Sequence, residues 1–298
     1  MKQKVNKICW RIGQEITPDT FIQADNYICS QHNLIRRLIA DKCYGLLPDG
    51  EADFAVKANL NNKDFYFEQL VCCGTTEAGY LVLFANEWQS SLPKRQLSIT
   101  HSNANAFYVV LRINPYEQVL IEPVENDEAP MAHAAYELDI RELDKIAANE
   151  LALIKIDNTH SSPLIANNYM PPCMSVNACA KLLETYELLK QLLTEIHSHI
   201  KRKDDIFGKI SYPLAMLYDE LYEFPLSSPP IALLRLIKKI ILTCQLFIAD
   251  IRAVDLPDLI RTYNHNDMSL TFNSLLNYLQ TVNRIVGQSK EEDFTPRI

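Results

Sequence analysis

The hydrophobic period of this chain changes once, at Pro171-Pro172, and few architectures accommodate such a change. Ahead of the pair, apolar residues alternate with polar ones, as in strands with one buried face. Behind it they recur every three or four residues, as in amphipathic helices. The expected fold is therefore α+β: a β-sandwich-like domain over residues 1–172, an antiparallel four-helix bundle over 173–288, and a polar tail at 289–298. Charge shifts at the same place. Residues 1–172 carry 15 Lys and Arg against 22 Asp and Glu, whereas the remainder carries 14 against 15.

One early helix is expected in the first part, with Thr17 as N-cap and Pro18 at the first helical position. Phe21, Ala24, Ile28, Ile35, Leu38 and Ile39 keep helical spacing behind it. From Pro48-Asp49-Gly50 the pattern alternates, with Ala52, Phe54, Val56, Ala58 and Leu60 on one side and Asp53, Lys57 and Asn59 on the other. Further strands are expected at 65–73, 80–84, 96–100, 107–113, 118–121, 135–140 and 151–156. Residues 74–79, 103–105 and Asn114-Pro115 read as turns. Many short strands without intervening helices favour a sandwich or barrel over a parallel α/β sheet.

Four helical stripes follow. Cys179, Leu182, Tyr186, Leu189, Leu193, Ile196 and Ile200 form the first, and Leu214, Leu217, Leu221 and Phe224 the second. The third, entered through Ser228-Pro229-Pro230, runs Leu233, Ile237, Ile240, Cys244, Phe247, Ile251 and Val254. Phe272, Leu275, Leu279, Val282 and Val286 form the fourth, closed by Gly287. Coiled-coil-like packing of such stripes gives a bundle. The third helix bears an additional stripe, Leu234, Ile241 and Ile248, so its apolar face is too wide for one neighbour. Leu234, Ile237, Ile241, Phe247 and Ile248 thus form a seam that suits either the bundle centre or a contact with other subunits.

Composition narrows the function. The 298 residues are 48% hydrophobic and 22% charged, as in globular proteins. Met1-Lys2-Gln3-Lys4 leads into no apolar h-region, so no secretory signal is read and a cytoplasmic protein is expected. The most apolar stretch, residues 231–251, is broken by Arg235, Lys238, Lys239, Gln245 and Asp250 and does not suit a membrane span. A net charge of −8 argues against nucleic acid as a partner. The eight cysteines show no CxxC spacing, which favours reduced, buried thiols over a disulfide or metal framework.

Catalytic signatures are missing. No phosphate-cradling glycine loop, no GxSxG elbow and no HExxH occurs, so neither an enzyme nor a cofactor is expected. Glu195, His197 and His199 sit close together, but a metal would need a further ligand, and a solvated helix edge is the simpler reading. His32, His101, His133, His160 and His265 are scattered. Cys72-Cys73 on a strand would point to opposite faces. The acidic run 122–128 serves either solubility or docking of a basic partner.

Two segments exceed generic core. One is Trp10-Arg11-Ile12-Gly13-Gln14-Glu15-Ile16-Thr17-Pro18-Asp19-Thr20-Phe21-Ile22-Gln23-Ala24-Asp25; the other is Tyr169-Met170-Pro171-Pro172-Cys173-Met174-Ser175-Val176-Asn177-Ala178. Together they resemble the TssK family, the baseplate subunit of the type VI secretion system. Trp10, Gly13, Ile16, Pro18, Phe21, Gln23 and Asp25 fall on that family's opening pattern. Tyr169, Pro171, Pro172 and Cys173 match its inter-domain joint. Ile12, Gln14 and Asp19-Thr20 depart from it. From the residues alone, both segments serve either as internal packing devices or at a subunit surface.

The resemblance implies a homotrimer that works mechanically, without a cofactor, at the inner face of the cytoplasmic membrane. It implies binding to wedge subunits of the TssF, TssG and TssE type, for which Trp10, Gly13, Ile16, Pro18, Phe21 and Asp25 are the candidate residues. A non-catalytic ligand-binding or regulatory module with a helical oligomerisation domain is the alternative. Typical members of the family continue into a third, C-terminal domain that engages the membrane complex. Here only eleven residues follow Gly287, too few for a core, so any contact with that complex is expected by another route.

Overall fold

The computed structural model describes residues 7–39, 43–48, 54–61, 64–85, 96–99, 104–121, 131–159, 162–201, 211–247, 257 and 262–288. The chain divides into two compact units: residues 1–45 with 50–165, and 46–49 with 166–298. The first unit is mainly antiparallel sheet and the second mainly helical.

The first unit opens on helix α1, Pro18–Ile39. Its start shows one half of a capping box: the Thr17 amide donates to Thr20 Oγ1 at 3.3 Å, and the two hydroxyls lie 3.0 Å apart. The two-residue strand β1, Gly45–Leu46, follows. One sheet is then organised around β3, Asp64–Thr75, which pairs with β2 (Ala55–Asn61), β4 (Leu81–Ala85) and β5 (Gln96–Ser98). The other runs in the order β7-β6-β8-β9, where β6 is Ala106–Ile121, β7 Met131–Arg141, β8 Glu150–Asp157 and β9 Leu164–Ile165. The strand period holds at the start of β3, where Phe65 and Phe67 enter the core between exposed Tyr66 and Glu68, and in β4, where Val82 and Phe84 flank exposed Leu83. Past the bulge at Glu68 it is lost, and Leu70, Val71 and Cys72 are all buried.

Asn114-Pro115 does not end a strand. β6 passes through it as a bulge, with Asn114 opposite Ala135 and Gln118 opposite Ala134. The missing amide of Pro115 goes unused there because bulged residues leave the ladder. The two sheets meet at Tyr136, whose hydroxyl donates to the Leu83 carbonyl at 3.0 Å and accepts from the Leu83 amide at 3.1 Å. Its ring stands edge-on to Phe84, with centroids 5.3 Å apart. Burial pushes its hydroxyl up to about 12.

A charge cluster ties β6, β7 and β8. The side chain of Glu150 is fully buried and meets Arg112 at 2.7 Å and Arg141 at 3.3 Å. Its other oxygen accepts the Ala147 amide at 2.8 Å. Arg112 also reaches Glu137 at 3.0 Å, and Arg141 reaches Asp139 at 2.5 Å.

The second unit holds α2 (Ala180–Lys201), α3 (Ser211–Tyr222), α4 (Pro230–Phe247) and α5 (Met268–Gln288). α2 packs on α5 and α3, and α3 packs on α4. Leu193 and Ile196 of α2, Ile240, Ile241 and Cys244 of α4, and Tyr278, Leu279 and Val282 of α5 converge on one small apolar void. Polar ring atoms buried here are satisfied: Tyr186 donates to the Leu221 carbonyl at 3.2 Å and Tyr218 to the Leu193 carbonyl. In α3 the buried stripe is Leu214, Tyr218 and Leu221 rather than one through Leu217, because the Tyr218 hydroxyl finds an acceptor on α2. Among the described residues, no helix is long and apolar enough to cross a membrane.

Glu150 is the interaction that most rigidly fixes three strands. Glu150→Ala should lower unfolding stability by about 2–3 kcal/mol in denaturant titration. That is below the cost of breaking a fully buried pair, because Arg112 and Arg141 stay 30% and 26% exposed and regain water. A loss under about 0.5 kcal/mol, the usual size for a surface substitution, would show that the cluster contributes nothing.

Candidate docking surfaces

Residues 7–17 precede α1 as an extended arm with one turn. The Gln14 amide donates to the Arg11 carbonyl at 3.1 Å, and the Arg11 amide donates to Gln14 Oε1 at 3.1 Å. Gly13 sits in this turn at φ +80 with open space around it, so its role is to permit the left-handed backbone. Trp10 is 52% exposed, Ile16 57% and Phe21 58%. Pro18 and Asp25 are also exposed. The candidate docking residues therefore lie together on the arm and the first turns of α1, outside the core.

α1 is turned inside out. Asn33 is buried, and Asn26, Tyr27 and Ser30 are half-buried on the same side. Phe21, Ile28, Ile35 and Leu38 face away, all exposed. Nine of the nineteen exposed large apolar side chains lie between Trp10 and Leu38, so this segment is the densest unpartnered apolar surface among the described residues. Phe21, Ile28 and Ile35 recur every seven residues, with Ala24 and Leu38 at the intervening offsets. That repeat has the spacing of a coiled-coil seam, with the polar Gln31 at the offset between Ile28 and Ile35.

The seat of α1 on its unit is built by the bulge in β6 and by the turn before β4. The bulge carries Tyr116, whose ring is edge-on to Tyr80 with centroids 6.3 Å apart. Burial, then Tyr80, pushes the Tyr116 hydroxyl up, with Cys29 and Asn33 of α1 beside it. Gly79, at φ +84, lies where any Cβ would strike the Asn33 carbonyl and the Arg37 side chain.

The Tyr169–Cys173 stretch belongs to the helical unit. Tyr169 donates to the Asn266 carbonyl at 2.8 Å, and Met170 and Cys173 are fully buried. The Leu46 amide donates to the Pro172 carbonyl at 2.8 Å, and the Met174 amide donates to the Leu46 carbonyl at 2.9 Å. Pro171 and Pro172 are buried, so the segment acts as packing within this unit. Cys173 is pushed well up by burial, while its contact with Cys179 draws that thiol down to about 7.

Leu234, Ile237 and Ile241 are buried inside the helical unit. Phe247 ends α4, and Ile248 lies outside the described residues, as do the acidic run 122–128 and the tail. The apolar residues of α4 that remain exposed are Leu242 and Leu246, which the sequence reading did not single out. Glu195, His197 and His199 are all half-buried. Glu195 accepts from Gln191 at 3.0 Å and from Asn283 of α5 at 2.7 Å. His197 stacks on Tyr218 with centroids 4.3 Å apart.

The chain thus combines a helical unit with a sheet unit that displays an apolar arm and a helix with its apolar side outward. The fold is that of TssK. A chain of the cryo-electron microscopy structure of the type VI secretion system TssK–TssF–TssG baseplate subcomplex superposes with TM-score 0.64 at 15% identity, covering 95% of this chain and 99% of that one. A crystal structure of TssK gives TM-score 0.65 at 14% identity, over 93% of this chain and 69% of that one. TssK from EAEC, bound to a nanobody, gives 0.59 at 13% identity over 89% and 99%. No family model matches the sequence, and no curated protein does.

Half-exposed residues can be removed without unfolding. Trp10→Ala and Phe21→Ala should each change stability by less than about 0.5 kcal/mol in a thermal melt. Gly79→Ala should cost about 1–3 kcal/mol, since the strained backbone and the clash add.

Proposed function

We propose that this protein is a baseplate subunit of a type VI secretion system, a non-enzymatic trimeric adaptor whose helical unit is an antiparallel four-helix bundle. The observation that carries the reading is the TssK fold over 95% of the chain, matched to 99% of a TssK–TssF–TssG subcomplex chain. The exposed arm and α1 stripe supply the surface such a role needs. Large apolar patches on a soluble protein mark interaction sites, and aromatic anchors such as Trp10 and Phe21 dominate binding energies. In this reading Trp10, Gly13, Ile16, Pro18, Phe21 and Asp25 face wedge subunits of the TssF and TssG type. The protein then works on the cytoplasmic side of the membrane.

The test joins capture with stability. The double variant Trp10→Ala/Phe21→Ala should bind purified wedge subunits about 30-fold more weakly, the loss of about 2 kcal/mol expected of an aromatic hot spot, while its melt stays at the wild-type temperature. Unchanged capture would exclude this surface. Light scattering on the wild type should return the mass of three chains; a monomer at micromolar concentration refutes the trimer.

A further inference from the structure

The helical unit carries two exposed faces of opposite character. On α2, with the end of α3, an open groove of about 910 Å³ is lined by Leu183, Leu188 and Tyr222 and rimmed by Glu184, Glu187 and Glu195. Leu188 and Tyr222 are each 51% exposed. The one lysine in the groove, Lys190, lies over Tyr222 at 5.0 Å and over Tyr186 at 5.7 Å, which leaves the rim acidic. On α4, Arg235, Lys239, Leu242 and Leu246 are exposed and follow one another by four, three and four residues. They form a single ridge, basic toward its start and apolar toward its end. Lys238 flanks the ridge, and burial of its stem lowers its pKa.

We propose that the α4 ridge of one copy of this chain seats in the α2–α3 groove of the next, making a heterologous contact that closes into a ring. Groove and ridge complement each other twice. Leu242 and Leu246 match the apolar floor, and Arg235 and Lys239 match the glutamate rim. Because the two faces lie on different helices of one unit, each copy offers both, and head-to-tail contacts of this kind close a ring or extend a filament. Glu184 and Lys239 have surface partners within their own chain, Lys181 at 3.3 Å and Glu220 at 3.7 Å. Exposed pairs like these are weak enough to be exchanged on docking. The inference rests on the trimeric reading and assigns the surface that makes the trimer.

The test is charge reversal on the full chain, read as mass by light scattering across a dilution series. Glu184→Lys/Glu187→Lys and, separately, Arg235→Glu/Lys239→Glu should each raise the midpoint of trimer dissociation by about 100-fold, the scale of like charges brought together in an interface. The quadruple variant, with both faces reversed, should return toward the wild type. Leu246→Glu, at a position 69% exposed, should dissociate the trimer without lowering the melting temperature. A wild-type monomer would remove the trimeric reading and this contact with it. A wild-type trimer that persists in all the variants overturns the contact and leaves the trimer standing. Dissociation by both double variants without recovery in the quadruple overturns the pairing of these two faces.

Discussion

A helix whose polar side faces inward gains little from burial, so something else must hold it in place. For α1 that task falls to a close backbone approach at Gly79 and to the polar ring of Tyr80 and Tyr116 around Asn33 and Cys29. The Thr20 hydroxyl, which accepts the Thr17 amide, fixes where the helix begins. With the helix so fixed, the apolar stripe from Phe21 to Leu38 is displayed at a set angle rather than collapsing onto the nearest core. Displaying that stripe in water forgoes burial worth about 1.5–3 kcal/mol for each large side chain. The arrangement is therefore economical only where another surface covers it.

The sequence shows most of the elements and little of their sidedness. Periodicity marks α1 from Pro18, the longer strands of both sheets and the four later helices, since a buried stripe must repeat with its element. The two-residue strands β1 and β9 are too short to show a period. It does not say which face of α1 turns inward: Phe21, Ile28 and Ile35 have the spacing of a core stripe and lie outside it. Their heptad repeat, instead of the looser spacing of a core-facing helix, was the available signal. Asn114-Pro115 has the chemistry of a turn, and only its partner strand, which continues without a gap at Ala134 and Ala135, makes it a bulge. Leu242 and Leu246 have no sequence signature of their own, because apolar residues run through α4 around them, from Leu233 to Phe247. The joint at Tyr169–Cys173 is legible as a stiff extended segment, but its parallel bridge to Leu46 spans more than a hundred residues and has no local trace.

The two units hold their cores by different means. In the helical unit, Leu and Ile stripes interdigitate, and the buried hydroxyls of Tyr186 and Tyr218 each reach a backbone carbonyl one helix away. In the sheet unit a buried carboxylate, Glu150, joins three strands through two guanidinium groups. Hydrophobic packing tolerates sliding and repacking, whereas a buried carboxylate held by two guanidinium groups and a backbone amide fixes register. A platform that must present the bulge and the turn to α1 at a constant spacing benefits from the second kind of constraint.

The two proposed contact surfaces differ in physics and hence in what each contributes to assembly. The α1 stripe is almost wholly apolar, which gives affinity with little preference for orientation. The α2 groove and α4 ridge carry opposite charge, which gives orientation and rate more than affinity. A chain of net charge −8 repels its own copies at a distance. Salt confines that repulsion to about 8–10 Å, within which the local rim and ridge dominate. Copies approaching through their apolar stripes gain nothing from charge, while copies approaching groove to ridge do. Self-association is thereby steered to the helical unit, and the α1 stripe is left open for a different partner.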